Sequence, residues 1–184
     1  KNIVFYRLYI GNKGLSLEDI KKYKSVVITS TIQCGGNRRS ELDQYKKTNG
    51  TQWKGGAISN AKWEGVPLNQ VLRDHFSHEE LNKHKFINFT SYDDVKISIP
   101  IEKVLDKNGD VILAYNMNQD VLPRDHGYPL RLIVPGYVGI RNLKWLKTIE
   151  LSNSEINSPW QTGISYKILP SIIDDPSGLN LNKY

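Results

Sequence analysis

Short runs of β-branched and aromatic residues, each ended by turn-forming residues, constrain the fold of this chain most. Residues 25–33 are rich in valine, isoleucine and threonine, which fit a pleated sheet. Similar runs predict further strands at residues 4–10, 86–90, 95–99, 111–117, 130–134 and 143–151. No apolar run approaches the roughly 20 residues that a membrane helix needs. The chain is therefore expected to fold around β-sheets.

Two helices interrupt these strands. Ser16 is a hydroxyl cap followed by Glu18 and Asp19, and it predicts a helix that ends near Tyr23. Pro67 opens a second helix, which runs to about His75. Helices and strands do not alternate regularly, and no GxGxxG or Walker loop is present. These observations predict an α+β domain with mixed or antiparallel sheets and peripheral helices, and they argue against a Rossmann-type fold.

Cys34 is the only cysteine among 184 residues, which excludes an internal disulfide and a cysteine-based zinc finger. A lone cysteine is most often a buried, inert side chain. Here it follows a predicted strand and precedes two glycines and two arginines, at positions 35–36 and 38–39. Glycines let a bulky ligand approach closely, and nearby cations favour the reactive thiolate. Chemistry alone leaves a metal ligand or a nucleophile open, although no histidine base follows in a recognised protease arrangement.

The chain has 25 lysines and arginines against 19 acidic residues, a formal net charge of +6 that favours acidic partners. Nucleic acid is the less favoured partner, because the lysines are scattered and no RNA-binding motif is present. Two loops concentrate cations: residues 122–131 carry Arg124, His126 and Arg131, and residues 135–145 carry Arg141 and Lys144. Each loop is either an ordinary turn or an anion-binding loop.

Two other patterns are weaker. The pair His75-x-x-His78 could hold zinc, but no third ligand of the right type is nearby, so a solvated helix end is the preferred interpretation. The acids Asp93 and Asp94 fall in a predicted turn, where aspartate is common for backbone reasons.

Several sequence blocks, in this order, resemble the molybdenum-cofactor domain of the sulfite oxidase family. The resemblance extends from about Tyr6 to Tyr166. The blocks are TIQCGGNRRSE at 31–41, the segment from Trp53 to Leu68, LAYNMN at 113–118, LPRDH at 122–126, VPG with Gly139 at 134–139, and KWL at 144–146.

The resemblance implies a molybdenum–molybdopterin cofactor, with Cys34 as the metal ligand. It assigns the binding of the pterin and its phosphate to Asp93, His126, Arg131, Asn142, Leu143 and Lys144. It assigns the substrate pocket to Arg39, Trp53 and Tyr166. The implied reaction is oxidation of sulfite to sulfate by oxo transfer, with electrons leaving to a separate acceptor such as a cytochrome or haem domain.

The resemblance also implies boundaries and alternatives. We expect a cofactor domain at residues 1–170 that lacks the family's N-terminal Arg-Asn-His loop, and an irregular tail at 171–184 leading to an absent dimerisation domain. A nitrate reductase-type domain is the first alternative; Ser40 after Arg38 and Arg39 favours sulfite, since nitrate reductases tend to have lysine there. A non-catalytic subunit of a larger complex is the second. A mitochondrial or other intracellular location is expected rather than secretion.

Overall fold

The computed structural model describes residues 6–167, 169–170, 172–173 and 175–181. Within these residues ten strands form two five-stranded sheets. The strands are β1 (Leu8–Ile10), β2 (Lys13–Leu15), β3 (Val26–Gln33), β4 (Ile58–Pro67), β5 (Phe86–Ser91), β6 (Lys96–Pro100), β7 (Ile112–Met117), β8 (Asp120–Val121), β9 (Arg131–Ile133) and β10 (Leu146–Ser152). The predicted α+β fold with mixed sheets is confirmed. The part of the first predicted strand at residues 4–5 lies outside the described residues.

The first sheet has the order β2-β1-β10-β5-β6, and only its β1–β10 pair is parallel. Strand β5 alternates partly and fully buried residues, as expected for a strand with one face on the core. Its buried Phe89 and Ile87 pack with Ile97, Ile99 and residues from both sheets. The predicted strand pair at 86–99 is thus confirmed.

The second sheet places β3 at one edge, followed by β4 and β7, and both β8 and β9 pair with β7. Strand β3 pairs with β4 from Val26–Gly65 to Gln33–Ile58, so Cys34 follows immediately after the last pair. The register of β4 on β7 shifts at Gly65, where an added methyl group would lie 2.1 Å from the Leu113 carbonyl oxygen. Only glycine fits this close approach of two backbones.

The helices are short and lie beside the sheets: α1 (Leu17–Lys21), α2 (Arg39–Leu42), α3 (Leu68–His75), α4 (His78–Lys83) and α5 (Ile101–Leu105). Both predicted helix starts are confirmed. Ser16 accepts the Asp19 backbone N–H and closes a capping box, and α3 buries Leu68, Val71 and Leu72. No described helix is long and apolar enough to cross a membrane.

The sequence patterns did not predict four elements of four or more residues: β4, α2, α4 and α5. In strand β4 the exposed polar residues Asn60 and Lys62 alternate with the buried Ala61 and Trp63, and the strand therefore has no continuous apolar run. It nevertheless lies between β3 and β7, and its backbone is hydrogen-bonded to both.

An irregular segment after β10 covers the outer edge of β6. Gln161 Oε1 accepts the Ser98 backbone N–H at 2.9 Å, and the Ser158 hydroxyl donates to the Lys96 carbonyl at 2.7 Å. Both Gln161 and Ser158 are buried. Side chains thus satisfy backbone groups that another strand would otherwise pair.

Candidate functional site

Cys34 lies at the end of β3, in a cleft between two parts of the chain. Its backbone N–H donates to the Ala57 carbonyl at 2.9 Å, and its Sγ accepts the Gly36 N–H at 3.4 Å. The side chain is partly buried and lines a cleft of about 560 Å³ together with the loop Pro135–Val138. Cys34 also borders a second cleft of about 470 Å³ that Tyr166 lines. The thiol is therefore accessible to a ligand from the loop side.

The loop after Cys34 is held by backbone hydrogen bonds to a distant stretch of chain. The Arg38 N–H donates to the Lys54 carbonyl at 3.1 Å, and the Ser40 N–H donates to the Trp53 carbonyl at 3.0 Å. The Asn37 side chain adds a third link by accepting the Ala57 N–H at 2.9 Å. These three hydrogen bonds place Trp53 beside the cysteine loop.

The two arginines of the loop have different environments. Arg38 adopts a left-handed conformation with φ of 64°, and its guanidinium pairs with the Glu41 carboxylate at 2.5–3.0 Å. Arg39 lies on the other side, where its Nη1 donates to the Thr51 carbonyl at 2.8 Å. Glu41 thus balances the charge of Arg38. Among the described residues, no carboxylate forms a hydrogen bond or an ion pair with the Arg39 guanidinium.

Gly36 lets Arg39 and Trp53 come close to the cysteine loop. A methyl group at Gly36 would lie 2.8 Å from Trp53 Cδ1 and 2.9 Å from Arg39 Nη2. Real carbon–carbon contacts are about 3.5–4.0 Å. The structure thus brings together Cys34, Arg39 and Trp53, and Trp53 keeps 46% of its surface exposed.

Tyr166 approaches the same loop from the opposite side. A methyl group at Gly35 would lie 3.6 Å from Tyr166 Cε1. Burial, and to a lesser extent the charge of Cys34, raise the pKa of Tyr166, while Arg141 and Arg39 oppose this rise. The tyrosine therefore lies within the electrostatic range of all three groups.

Arg141 is a further member of this cluster. Its guanidinium lies 5.5 Å from the centre of the Tyr166 ring, and its Nη1 donates to the Trp160 carbonyl at 2.9 Å. The loop pattern of the sequence pointed to Arg141 as an anion-binding residue. The family resemblance instead assigned the three residues that follow it.

A second cluster forms where the loop 122–128 packs on residues 131–145. Three successive carbonyls of this loop accept hydrogen bonds from side chains of the later segment. The pairs are Arg124 O with Trp145 Nε1 at 3.1 Å, Asp125 O with Lys144 Nζ at 2.5 Å, and His126 O with Arg131 Nη1 at 2.7 Å. The two predicted cationic loops are therefore one structural unit.

Arg131 is the buried cation at the centre of this unit, with 4% of its surface exposed. Its Nη2 donates to the Asn142 carbonyl at 2.9 Å, and its guanidinium stacks over the Trp63 ring at 4.8 Å. Burial lowers the pKa of Arg131 to about 10. Its Nε is buried without a hydrogen-bond partner. An anionic group next to Arg131 would balance its buried charge and accept the hydrogen bond that its Nε lacks.

Asn142 and Leu143 point inward. Asn142 Oδ1 accepts the Val134 N–H at 2.8 Å, and its Nδ2 donates to the carbonyls of Tyr137 and Val138 at 3.2 and 3.3 Å. The Leu143 side chain belongs to the main core. These two residues fix the shape of the loop, and both are buried, with 3% and 4% of their surfaces exposed.

Asp93, His126 and Lys144 are more open. Asp93 is exposed in the β5–β6 turn and accepts the Ser91 hydroxyl. Burial, followed by the charge of Arg131, lowers the pKa of Lys144, whereas the charges of Asp125 and Asp93 oppose this. Asp93 and Lys144 are thus electrostatic neighbours, and the exposed His126 belongs to the same unit through its carbonyl.

Comparison with known proteins identifies this arrangement. The family model for the oxidoreductase molybdopterin binding domain matches residues 6–160, most of the chain. The chain belongs to this family. It is 45% identical over 154 residues to mitochondrial sulfite oxidase of Drosophila melanogaster, covering 82% of this chain and 27% of that relative. It is 34% identical over 165 residues to nitrate reductase [NADH] 1 of Arabidopsis thaliana, covering 85% of this chain and 18% of the relative.

A solved structure agrees with the family assignment. The sulfane dehydrogenase SoxCD from Paracoccus pantotrophus superposes with a TM-score of 0.70 and 30% identity, over 84% of this chain and 40% of that chain. The predicted molybdopterin-binding fold of the sulfite oxidase type is thereby confirmed. The chain spans about a third or less of the length of the sulfite oxidases of fly, rat and human.

Proposed function

We propose that this molybdopterin-binding domain is the catalytic part of an enzyme that oxidises sulfite to sulfate. The observation that carries the proposal is that Cys34 and Tyr166 line one cleft, while Arg39 and Trp53 lie against Gly36 in the loop that follows Cys34. A small anionic substrate needs positioned cations in a restricted space beside the reacting group. The similarity to sulfite oxidases supports the choice of substrate.

The proposed cofactor site extends from the cleft to the cationic unit. Cys34 would hold molybdenum through its thiolate, the soft ligand of the site. Arg131 and Lys144 would hold the phosphate of the pterin, with Asp93 and His126 around it. Asn142 and Leu143 would support the site by shaping the loop that carries Lys144. The unpartnered Nε of Arg131 supports this assignment. When bound, the molybdenum–pterin group supplies two-electron redox chemistry and oxygen-atom transfer.

The substrate pocket rests on Arg39. Its guanidinium is held in place by the Thr51 carbonyl and by contact with Gly36. A planar guanidinium presents two parallel donors to an oxyanion, so Arg39 would orient sulfite by a forked hydrogen bond. Trp53 and Tyr166 would form the walls of the pocket and limit its water content. A pocket arranged before the substrate arrives loses little free energy to reorganisation.

The surroundings of the domain complete the proposal. Electrons would pass to a separate acceptor, such as a cytochrome or haem domain. The relatives named as mitochondrial support a mitochondrial location. We also propose that residues 1–170 form the cofactor domain and that 171–184 lead to a dimerisation domain.

The decisive experiment measures molybdenum and pterin in the purified full-length protein, together with sulfite- and nitrate-dependent electron transfer. We expect about one molybdenum per chain and turnover with sulfite. Turnover with nitrate alone would favour the nitrate reductase alternative. Protein without molybdenum would favour a non-catalytic subunit.

Two variants test the residue roles. Cys34→Ser should retain the fold and lose sulfite oxidation. Arg39→Met should raise the KM for sulfite, with Arg73→Met as the matched control because Arg73 is an exposed arginine of α3. A normal rate in Cys34→Ser, or equal KM values in the two arginine variants, would contradict the assignment.

A further inference from the structure

Tyr166 lies on a segment that has little regular structure of its own. It ends a single 3₁₀ turn, Ile164–Tyr166, which follows an irregular stretch after β10. Such a turn cannot hold a side chain in place without contacts from elsewhere. The position of the tyrosine beside Cys34 must therefore depend on anchors outside the turn.

The first anchor is the edge of β6, through Ser158 and Gln161. A tight approach follows, because a methyl group at Gly163 would lie 2.4 Å from the Pro159 carbonyl oxygen. These contacts fix the chain up to about Gly163. They leave the tyrosine side chain itself unrestrained.

Arg141 is the second anchor, and it contacts both ends of this stretch. Its Nη1 donates to the Trp160 carbonyl at 2.9 Å, and its guanidinium lies over the Tyr166 ring. Burial lowers the pKa of Arg141, while the charge of Glu155 opposes this, so the cation is partly buried near a carboxylate of the same segment.

The turn that carries Arg141 packs against the end of the cysteine strand. Arg141 ends a 3₁₀ turn that begins at Gly139, and a methyl group at Gly139 would lie 3.3 Å from the Gln33 carbonyl oxygen. Gln33 directly precedes Cys34. A single side chain thus connects the backbone next to Cys34 with the ring of Tyr166.

We propose that Arg141 is a positioning residue that holds Tyr166 in place against the Cys34 cleft. The inference rests on the proposed function for the role of Tyr166 in substrate handling. A guanidinium is required, because it donates along its edge and stacks with its face at the same time. Lysine carries its charge on one compact ammonium, which lacks the flat face and the fixed edge that the guanidinium presents at the same time.

The first test uses hydrogen exchange of the full-length protein. In Arg141→Met, the amides of residues 162–167 should exchange about tenfold faster or more, because a cation–π contact and a charged hydrogen bond are lost. Amides of β10 should be unchanged, and Arg73→Met is the control. Unchanged exchange at 162–167 would overturn the proposal whether or not the enzyme oxidises sulfite.

The second test is a double-mutant cycle on the loaded full-length enzyme, using kcat/KM for sulfite. Arg141→Met should lower this value about tenfold, less than the roughly hundredfold loss for a 1 Å misplacement. In a Tyr166→Ala background the same change should have less than about a twofold effect, since the ring to be positioned is absent. Arg141→Lys should remain impaired.

The outcomes separate the two proposals. Effects that multiply in the double variant would show that Arg141 acts independently of the Tyr166 ring, which overturns the positioning role. A wild-type enzyme without sulfite turnover would refute the proposed function. The exchange experiment would still decide whether Arg141 holds the tyrosine.

Discussion

A single methyl group at Gly36 should disturb the substrate pocket while leaving the fold intact. Gly36 has no left-handed backbone requirement, so alanine fits its conformation. The added methyl group would lie 2.8 Å from Trp53 Cδ1 and 2.9 Å from Arg39 Nη2. Both contacts are with side chains that can move, and Trp53 is 46% exposed. The substitution therefore acts on the positions of two proposed pocket residues.

The distances set the size of the effect. A comfortable contact needs about 3.5 Å, so the Trp53 ring must retreat by roughly 0.7 Å and the Arg39 guanidinium by a similar amount. A misplacement of about 1 Å costs on the order of a hundredfold in rate. We expect Gly36→Ala to lower kcat/KM for sulfite by about 10- to 100-fold. The free energy of unfolding should change by about 1 kcal/mol or less, because flexible side chains absorb the displacement.

Gly55→Ala is the matched control. It adds the same methyl group at an exposed glycine two residues after Trp53, where no atom lies within 4 Å and the backbone is not left-handed. No side chain has to move, so its kcat/KM should stay within about threefold of the wild-type value. Both variants should be measured at equal molybdenum content, with urea unfolding to report stability.

Two results would refute this reasoning. Equal kcat/KM values for Gly36→Ala and the wild type would mean that neither Arg39 nor Trp53 handles the substrate. A large loss of stability in Gly36→Ala would mean that the methyl group disturbs the backbone rather than the two side chains.

Three further predictions concern stability and cofactor binding. Gly65→Ala should destabilise the fold by more than about 4 kcal/mol in urea unfolding, because its methyl group would collide with the backbone of Leu113; a smaller loss would show that β4 and β7 can separate. Arg131→Met loses two charged hydrogen bonds worth about 3–6 kcal/mol together. It also removes a burial cost of about 3 kcal/mol that follows from the lowered pKa. The net loss without cofactor should thus be about 0–3 kcal/mol, while pterin content should fall sharply; unchanged pterin content would contradict the phosphate role. Gln161→Leu leaves the buried Ser98 N–H without its acceptor and should lower the free energy of unfolding by about 1–3 kcal/mol. An unchanged midpoint in thermal or urea unfolding would mean that the hydrogen bond from Gln161 does not stabilise this edge of β6.

Local signals in the sequence predicted much of the fold and the centre of the site. The β-branched run at 25–33 became β3, and Ser16 became a helix cap, because both depend on residues close together in the chain. The glycines and arginines after Cys34 indicated an open, cationic loop through their chemistry alone. The order of the sequence blocks indicated the family, which the comparisons confirmed.

The directions of side chains were decided only by the tertiary structure. Only the family resemblance distinguishes Arg39 from Arg38 in the sequence, and no local pattern does. In the structure Arg38 has a left-handed backbone and turns toward Glu41, whereas Arg39 turns toward Thr51. The family resemblance places Asn142 in a segment that holds the cofactor, and only the structure shows that its side chain bonds to the backbone of Val134, Tyr137 and Val138.

The same holds for contacts between distant parts of the chain. Arg141 and Tyr166 meet because a segment after β10 folds along β6, and no local pattern encodes that path. Strand β4 was not predicted, because its exposed polar residues leave no continuous apolar run. Its place in the sheet follows from pairing with β3 and β7. The sequence by itself therefore determined which residue types are available and which local elements form. Long-range hydrogen bonding and packing decided which of those residues face the Cys34 cleft, since these interactions join positions that are far apart in the chain.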